Sequence, residues 1–187
     1  MAKDLKRDFF NRPTFRVARE LLGCFLCRKL GKKIIRLQIT EVEAYDGPKD
    51  KASHAHRGKT ARNAPMFGEA GRWYVYFTYG MHWMLNIVTG PEGYPAAVLI
   101  RSVSRRSQAS FCGSLASTEG KISGPARLTK FLQIDKRFNN RKSSRKTGLW
   151  IEKGRQVSPK RIQHTPRIGV AYAESWAKKP YRFVLRE

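Results

Sequence analysis

The sequence contains no run of about 18 or more apolar residues, which excludes an ordinary membrane-spanning helix. It begins Met-Ala-Lys-Asp-Leu-Lys-Arg, without the apolar core of a signal peptide, so we expect a protein that is not exported. Cysteine is scarce, with only 3 residues: Cys24, Cys27 and Cys112. An odd count without an export signal predicts free thiols in a reducing compartment, the cytoplasm of a bacterium or the nucleus of a eukaryote.

Two of the cysteines, Cys24 and Cys27, have the CxxC spacing of metal and redox sites. A structural zinc site needs a second ligand pair, and the sequence holds no second CxxC and no HxxxH. The pair also falls in an apolar, strand-like run. We therefore expect ordinary buried cysteines, no metal site and no cofactor.

Acidic residues are scarce as well. There are 14 of them against 38 lysines and arginines, which gives a formal net charge of +24. The basic residues are spread along the chain, so the folded domain carries a strong positive field and its expected partner is a polyanion, with nucleic acid first. An anionic membrane surface is disfavoured because no basic amphipathic helix stands out. The length and the apolar content of 41% predict one globular domain over residues 1–187.

Hydrophobic patterning and turn residues predict two helices separated by short strands. The first helix covers residues 13–23, with Pro13 in its first turn and Gly23 just past its end, and the second runs from Ser123 to about Ile134. Strands are predicted at 24–30, 34–45, 73–80, 81–88, 96–103, 150–152, 167–172 and 181–185. Loops are predicted at 46–72, 104–120, 135–148 and 157–166.

The strand around residues 35–45 carries the most informative pattern. Side chains alternate between the faces of a strand, so one face holds, in order, Ile35, Leu37, Ile39, Glu41, Glu43 and Tyr45. A carboxylate at the end of a hydrophobic face lies where the sheet meets a cleft, and burial there raises its pKa toward the range of a general base. The alternative is a strand that leaves the core with both glutamates in water.

The long loop 46–72 is rich in groups that contact phosphates and bases. These are His54, His56, Arg57, Lys59, Arg62, Asn63 and Arg72. A loop of this length in a compact domain is typical of a functional segment, although a solvated loop remains the alternative.

Two aromatic strands follow, with a turn predicted at Thr78-Tyr79-Gly80. The tyrosine hydroxyls, the amide of Asn86 and the guanidinium of Arg101 would each need a partner if buried, so these strands carry polar groups that are either structural or functional. Further along, Gly124 would let a phosphate approach the start of the second helix, and Arg127 adds charge there.

Taken together, the motifs resemble the alkyladenine (3-methyladenine) DNA glycosylase family over roughly residues 9–184. The motifs, in order, are Asn11-Arg12-Pro13, Glu41-Val42-Glu43-Ala44-Tyr45, Ser53-His54, Ala61-Arg62-Asn63, Tyr74-Val75-Tyr76, Tyr79-Gly80-Met81, Asn86, Arg101, Ser123-Gly124-Pro125 and Arg167-Ile168-Gly169-Val170. The resemblance implies an α+β (mixed) fold, a single domain with a curved antiparallel β-sheet flanked by helices.

The resemblance also implies a reaction and its residues. A damaged purine would be flipped out of the duplex and its N-glycosidic bond hydrolysed without a Schiff base, because lysines lie away from the matched pocket positions. Glu43 would activate the water and balance the charge that builds on the sugar, and Arg101 would lie beside the site, where it contacts a phosphate or supports the water. The flipped base would be held by Tyr45, His54 and Tyr76 and gated by Asn86, while Tyr79 fills the gap in the DNA. The DNA backbone would be contacted by Arg62, Asn63, Met81, Gly124 and Arg127.

The expected partner is double-stranded DNA containing damaged purines, bound by a monomer with no membrane association. One rival is a non-enzymatic nucleic-acid-binding protein that uses the same basic, aromatic surface as a stacking platform. Another is a glycosidase that acts on a polysaccharide. It is disfavoured because a net charge of +24 contributes no binding energy toward a neutral sugar polymer.

Overall fold

The computed structural model describes residues 3–105 and 120–186. Most of the predicted loop 104–120, and Cys112 with it, lies outside the described residues. The helices are α1 (Arg7–Phe10), α2 (Thr14–Leu21) and α3 (Pro125–Phe131), and short 3-10 segments cover Ala64–Phe67, Lys136–Phe138, Pro159–Arg161 and Ala171–Lys178. The strands are β1 (Phe25–Leu30), β2 (Lys33–Asp46), β3 (Trp73–Thr78), β4 (His82–Val88), β5 (Ala96–Ser104), β6 (Lys121–Ser123), β7 (Leu149–Glu152), β8 (Ile162–Thr165) and β9 (Arg182–Leu185).

The described strands form one antiparallel sheet. Its main path runs β3-β4-β5-β2-β1-β7, and β6 pairs with β5. Strand β9 pairs with the C-terminal part of β2 on one side and with β8 on the other. The sheet curls into a half-barrel, and α2 and α3 pack on it. The predicted α+β fold with a curved antiparallel sheet and flanking helices is confirmed.

The core lies between the helices and one face of the sheet. On α2 the buried apolar residues are Val17, Ala18 and Leu21, at the spacing of one helical face. The helix stops where predicted, since Gly23 has φ +85° and an added Cβ would lie 2.7 Å from the Arg155 carbonyl oxygen. Among the described helices, none is long and apolar enough to cross a membrane.

The regular alternation predicted for β2 is wrong. The register with β5 passes from Ile39↔Val103 to Glu41↔Ser102 and then to Val42↔Ile100. The first shift skips Thr40 on β2, and the second skips Arg101 on β5. The extra residue on β2 is a β-bulge, and it turns the β2 side chains that follow it to the other face. Consequently Leu37 and Ile39 enter the core before the bulge, whereas Val42 and Ala44 enter it afterwards. Glu43 therefore lies on the face opposite the core and does not share a face with Ile39.

Two predictions near the C-terminus are also wrong. Residues 167–172 form no strand: they bend through Gly169 at φ +77° into the 3-10 segment that begins at Ala171. The predicted loop 157–166 instead contains β8, which pairs with β9. Residues 167–172 do not form a strand because the Arg167 side chain turns inward to a buried partner. Strand β8 was missed because a strand of only four residues depends on pairing with its neighbour, which the local sequence does not show.

Candidate active site

Glu43 is fully buried, with 0% of its side chain exposed, yet every oxygen of its carboxylate has a donor. The Tyr45 hydroxyl donates to Oε2 at 2.9 Å. The backbone N–H of Ile168 donates to Oε1 at 2.8 Å, and Nη1 of Arg101 lies 3.2 Å from the same oxygen. A single carboxylate is thus fixed by a phenol, a backbone amide and a guanidinium.

The environment makes this carboxylate a stronger base than an exposed one. Burial raises the pKa of Glu43, and the opposing effects of the Arg101 charge, the Ile168 N–H and the Tyr45 hydroxyl do not cancel it. Burial, with the Glu43 charge beside it, also raises the pKa of Tyr45 well above the ordinary value, so the phenol keeps its proton and acts as a donor. A carboxylate with a raised pKa inside a cleft wall is one property of a general base.

Sheet register explains how Glu43 comes to face a set of other polar groups. One cross-strand row runs Tyr74↔Asn86, Asn86↔Leu99, Leu99↔Glu43 and Glu43↔Arg182. Directly paired residues in a sheet project from the same face. The row therefore carries residues from five strands to one face of the sheet, opposite the core.

This surface is the floor of a cleft of about 860 Å³. Its lining includes Tyr45, His54, Met66, Tyr74, Tyr76, Tyr79, Asn86, Arg101, Ile168 and Tyr172. Glu43 lies just behind the lining, in contact with Tyr45 and Arg101. The volume is in the range of pockets that enclose a small flat ligand, and its walls are largely aromatic.

Three aromatic rings are packed on one wall of the cleft. The His54 ring lies edge-on to Tyr76, with centroids 4.6 Å apart, and its Nδ1 is 2.9 Å from the Tyr74 hydroxyl. Burial and the nearby Arg62 charge lower the pKa of His54, which favours a neutral imidazole. The three rings are therefore packed against one another, and their aromatic faces are suited to stacking against a base.

Asn86 is held at the cleft by one hydrogen bond. It is 3% exposed, and its Nδ2 donates to the carbonyl of Tyr74 at 3.1 Å. The structure thus brings together all the residues predicted to form the pocket: Glu43, Tyr45, His54, Tyr76, Asn86 and Arg101.

The β3–β4 turn projects an aromatic side chain at the edge of the cleft. Tyr79 is 78% exposed and Met81 is 66% exposed. Tyr79 has φ +52° and Gly80 φ +66°, so consecutive residues occupy the left-handed region typical of a tight hairpin turn. A large ring is therefore held out on a short, well-defined turn.

The residues predicted to contact the DNA backbone occupy different environments. Arg127 is exposed, and Gly124 is the N-cap of α3 at φ +99°. The Arg62 side chain donates from Nη2 to the Phe77 carbonyl at 2.9 Å, and its guanidinium lies over the Tyr76 ring. Asn63 is 1% exposed, and its amide donates to two carbonyls of the same loop. This position favours loop ordering for Asn63 over a direct phosphate contact.

Several site residues were not predicted from the sequence. The Ile168 amide reaches Glu43 because Arg167 is anchored by a buried ion pair with Asp50. The motif at residues 167–170 was the only sequence signal. One lysine outside the matched pocket positions, Lys51, lines the cleft, where it pairs with Glu174 at 2.6 Å.

The CxxC cysteines lie apart from the cleft. Both are buried, and burial raises the pKa of Cys27 to about 12, so the thiol is protonated and unreactive. Within residues 3–105 and 120–186, no group of three or more His, Cys, Asp or Glu side chains is arranged to hold a metal ion.

The fold and the site together define a class of protein. A buried acid behind an aromatic cleft, on a chain of formal net charge +24, is consistent with an enzyme that acts on a nucleic acid base. Residues 8–187 match the family described as Methylpurine-DNA glycosylase (MPG). The chain belongs to this family, whose members are DNA glycosylases for alkylated bases.

Individual relatives agree with the family assignment. A protein of Methanocella arvoryzae is 45% identical over 183 residues, covering 96% of this chain and 90% of its own. A protein of Streptomyces avermitilis is 43% identical over 173 residues, covering 89% and 81%. One from Carboxydothermus hydrogenoformans is 40% identical over 185 residues, covering 97% and 95%. Each of these relatives is named provisionally as a 3-methyladenine DNA glycosylase.

Proposed function

We propose that this chain flips an alkylated purine out of duplex DNA into the cleft and hydrolyses its N-glycosidic bond with a water activated by Glu43. The observation that carries the proposal is the enclosed carboxylate, held by Tyr45, Ile168 and Arg101 at the cleft floor. A base inside a duplex cannot be reached, so the nucleotide must rotate out of the stack first.

The proposed reaction is a displacement at the sugar carbon. The water oxygen bonds to C1′ as the bond from C1′ to the purine nitrogen breaks, and the water proton passes to Glu43. The bonding electrons leave with the purine, and positive charge develops on the sugar, which the nearby carboxylate stabilises. The products are a free base and an abasic site in an intact strand.

The cleft walls account for a preference for alkylated purines. N-alkylated purines can be cationic, and the faces of Tyr45 and Tyr76 attract a cation more than a neutral ring. Asn86 at the floor would crowd the amino group of guanine and so reject the normal base. The neutral His54, beside Tyr76, adds a hydrogen-bonding edge without repelling a cationic base.

The rival function is a passive nucleic-acid binder. A binder would gain from the basic surface and the aromatic wall, but burying Glu43 costs free energy and adds a negative charge that repels phosphates. A third possibility, a glycosylase that also cleaves the strand through a Schiff base, would require a free amine at the sugar. The only lysine among the described cleft residues is Lys51, and it is engaged with Glu174 at the rim.

The test is single-turnover release from a panel of duplexes. Each duplex carries one 3-methyladenine, 7-methylguanine, hypoxanthine or ethenoadenine. We expect free base from at least the cationic lesions, an abasic strand that breaks only after alkali, and no adduct trapped by borohydride. DNA affinity should fall steeply with salt, because the contacts release counterions from the phosphates. Binding without release of any base would favour the passive binder, and a borohydride adduct would favour the Schiff-base route.

A second prediction concerns the hairpin tip. Replacing Tyr79 by Ala removes the ring that would occupy the gap left by the flipped nucleotide, so the flipped state should be less populated and base release about 10-fold slower or more. Stopped-flow fluorescence of a 2-aminopurine beside the lesion measures flipping. Tyr79→Phe is the matched control, since it keeps the ring and should flip normally. Equal rates for all three proteins would remove the wedge role.

A further inference from the structure

Glu41 lies on β2 two residues before Glu43 and is 7% exposed. Its Oε1 accepts from Nε of Arg101 at 3.0 Å and from Nε of Arg182 at 2.8 Å. Its Oε2 accepts from the hydroxyl of Ser102. Burial alone would raise the pKa of Glu41, but the Ser102 hydrogen bond and the two arginine charges outweigh it and leave the pKa lowered. Glu41 is therefore a firmly ionised partner in a buried cluster.

Arg101 lies between the two glutamates. Its Nε faces Glu41, while its Nη1 lies 3.2 Å from Oε1 of Glu43, and only 11% of its side chain is exposed. A guanidinium is planar, so a partner that fixes one edge also fixes the direction of the other. The orientation of Arg101 toward Glu43 is thus set partly by Glu41.

The cluster depends on the bulged register described above. Arg101 is skipped between the pairs Glu41↔Ser102 and Val42↔Ile100, so its side chain is free to turn toward β2. The third strand, β9, contributes Arg182, which pairs with Glu43 in register and with Glu41 through its side chain. Two acids and two arginines balance in charge, and a third strand is needed to complete the set.

We propose that Glu41 is a positioning residue for base excision. Because Arg101 pairs with Glu41 as well as with Glu43, it orients the Glu43 carboxylate but neutralises only part of its negative charge. The inference rests on the proposed role of Glu43. If Arg101 paired with Glu43 alone, the carboxylate would be a weaker base. If Arg101 were absent, Glu43 would lose a donor that orients it. When Arg101 pairs with both glutamates, Glu43 keeps its orienting donor and still remains a stronger base than it would be with Arg101 to itself.

The two substitutions on either side of this interaction have opposite expected effects on pH dependence. In Glu41→Gln, Arg101 pairs more fully with Glu43 and a neighbouring negative charge disappears, so the acidic limb of the rate profile moves to lower pH. The maximal single-turnover rate should fall about 10-fold or more, because the base is weaker and less well placed. In Arg101→Gln the limb moves to higher pH, because a positive charge beside Glu43 is lost.

The experiment measures single-turnover release of 7-methylguanine from duplex DNA against pH. The variants are Glu41→Gln, Arg101→Gln and their combination, and thermal unfolding and DNA affinity are recorded for each. If Glu41 acts through Arg101, adding Glu41→Gln to Arg101→Gln costs little further rate. Ser102→Ala retains every charge but loosens Glu41, and should shift the limb in the same direction as Glu41→Gln by a smaller amount.

Glu152→Gln is the matched control. Glu152 is also a buried glutamate of the sheet, 6% exposed, and pairs with Arg36 and Arg145 away from the cleft. It should lose stability and keep the wild-type pH profile. A Glu41→Gln variant with an unshifted profile, or a rate loss that adds in full to that of Arg101→Gln, would overturn the positioning role. Failure of the wild-type protein to release 7-methylguanine would instead count against the proposed function.

Discussion

Glu43→Gln should reduce release of 7-methylguanine by about 10²–10⁴-fold, the range expected when a general base is removed. The substitution is nearly isosteric, and the new amide oxygen can still accept from the Ile168 N–H that holds Oε1 at 2.8 Å. The fold and the cleft should therefore persist. What is lost is an oxygen that can take a proton from water and carry negative charge beside the developing sugar cation.

The pH dependence gives a second test of the same residue. Because the pKa of Glu43 is raised by burial, the wild-type rate on a cationic lesion should fall as pH decreases through that pKa, at higher pH than for an exposed glutamate. Only the ionised form can accept the proton, so Glu43→Gln should have no such limb. Binding to an abasic-site duplex should be unchanged. A variant that retained more than about one tenth of the wild-type rate would refute the base role.

Asp50→Asn should cost about 3–5 kcal/mol of unfolding free energy, the range for breaking a buried ion pair from one side. Both side chains of the Asp50–Arg167 pair are 0% exposed. Nη2 of Arg167 lies 2.8 Å from Oδ1 of Asp50, and the same guanidinium donates to the carbonyl of Ala44. An asparagine leaves Arg167 charged in a fully buried site, and the melting temperature should fall by on the order of 10 °C.

Chemical denaturation of three variants tests this explanation. Glu174→Gln breaks an exposed ion pair, in which the Lys51 side chain is 42% exposed and the Glu174 side chain 70% exposed. This change should cost no more than about 1 kcal/mol of unfolding free energy. The double variant Asp50→Asn with Arg167→Met removes both charges and should recover much of the stability lost in Asp50→Asn alone. A cost below about 1 kcal/mol for Asp50→Asn would contradict an uncompensated buried arginine.

The buried pair also connects stability to the site. Arg167 stacks over the Tyr45 and Tyr181 rings, at 4.8 and 5.1 Å from their centroids. The next residue, Ile168, supplies the amide that holds Glu43. Asp50 thus fixes the segment whose amide holds the Glu43 carboxylate, which explains why a strand did not form at residues 167–172.

Local patterns were sufficient where the interactions are local. Helix α2 was predictable because Pro13, its apolar spacing and Gly23 act over a few residues. The hairpin tip at Tyr79 was predictable because a glycine follows a run of aromatic strand residues. The short strand β8 was not, since its pairing partner β9 lies some 20 residues away in sequence and its own alternation is weak.

The pocket residues came from motif resemblance, and the contacts between them came from the fold. Asn63 illustrates the difference. Its motif suggested a phosphate contact, whereas in the structure its side-chain amide donates hydrogen bonds to the carbonyls of His54 and Gly58. A side chain with both donor and acceptor groups is equally suited to either role, and only its burial decides between them.

The positive field, the order of the main strands and helices, the family resemblance and the residue types of the pocket could all be predicted before folding was considered, because they depend on composition, motifs and short-range periodicity. The face that Glu43 occupies could not, since the β-bulge on β2 inverts the side chains after it. The tertiary structure decided this face, and it also decided how Glu41, Arg101 and Arg182 share charge, and how Asp50 anchors Arg167. Those contacts join strands and loops distant in sequence, and their energies depend on burial that exists only in the folded protein.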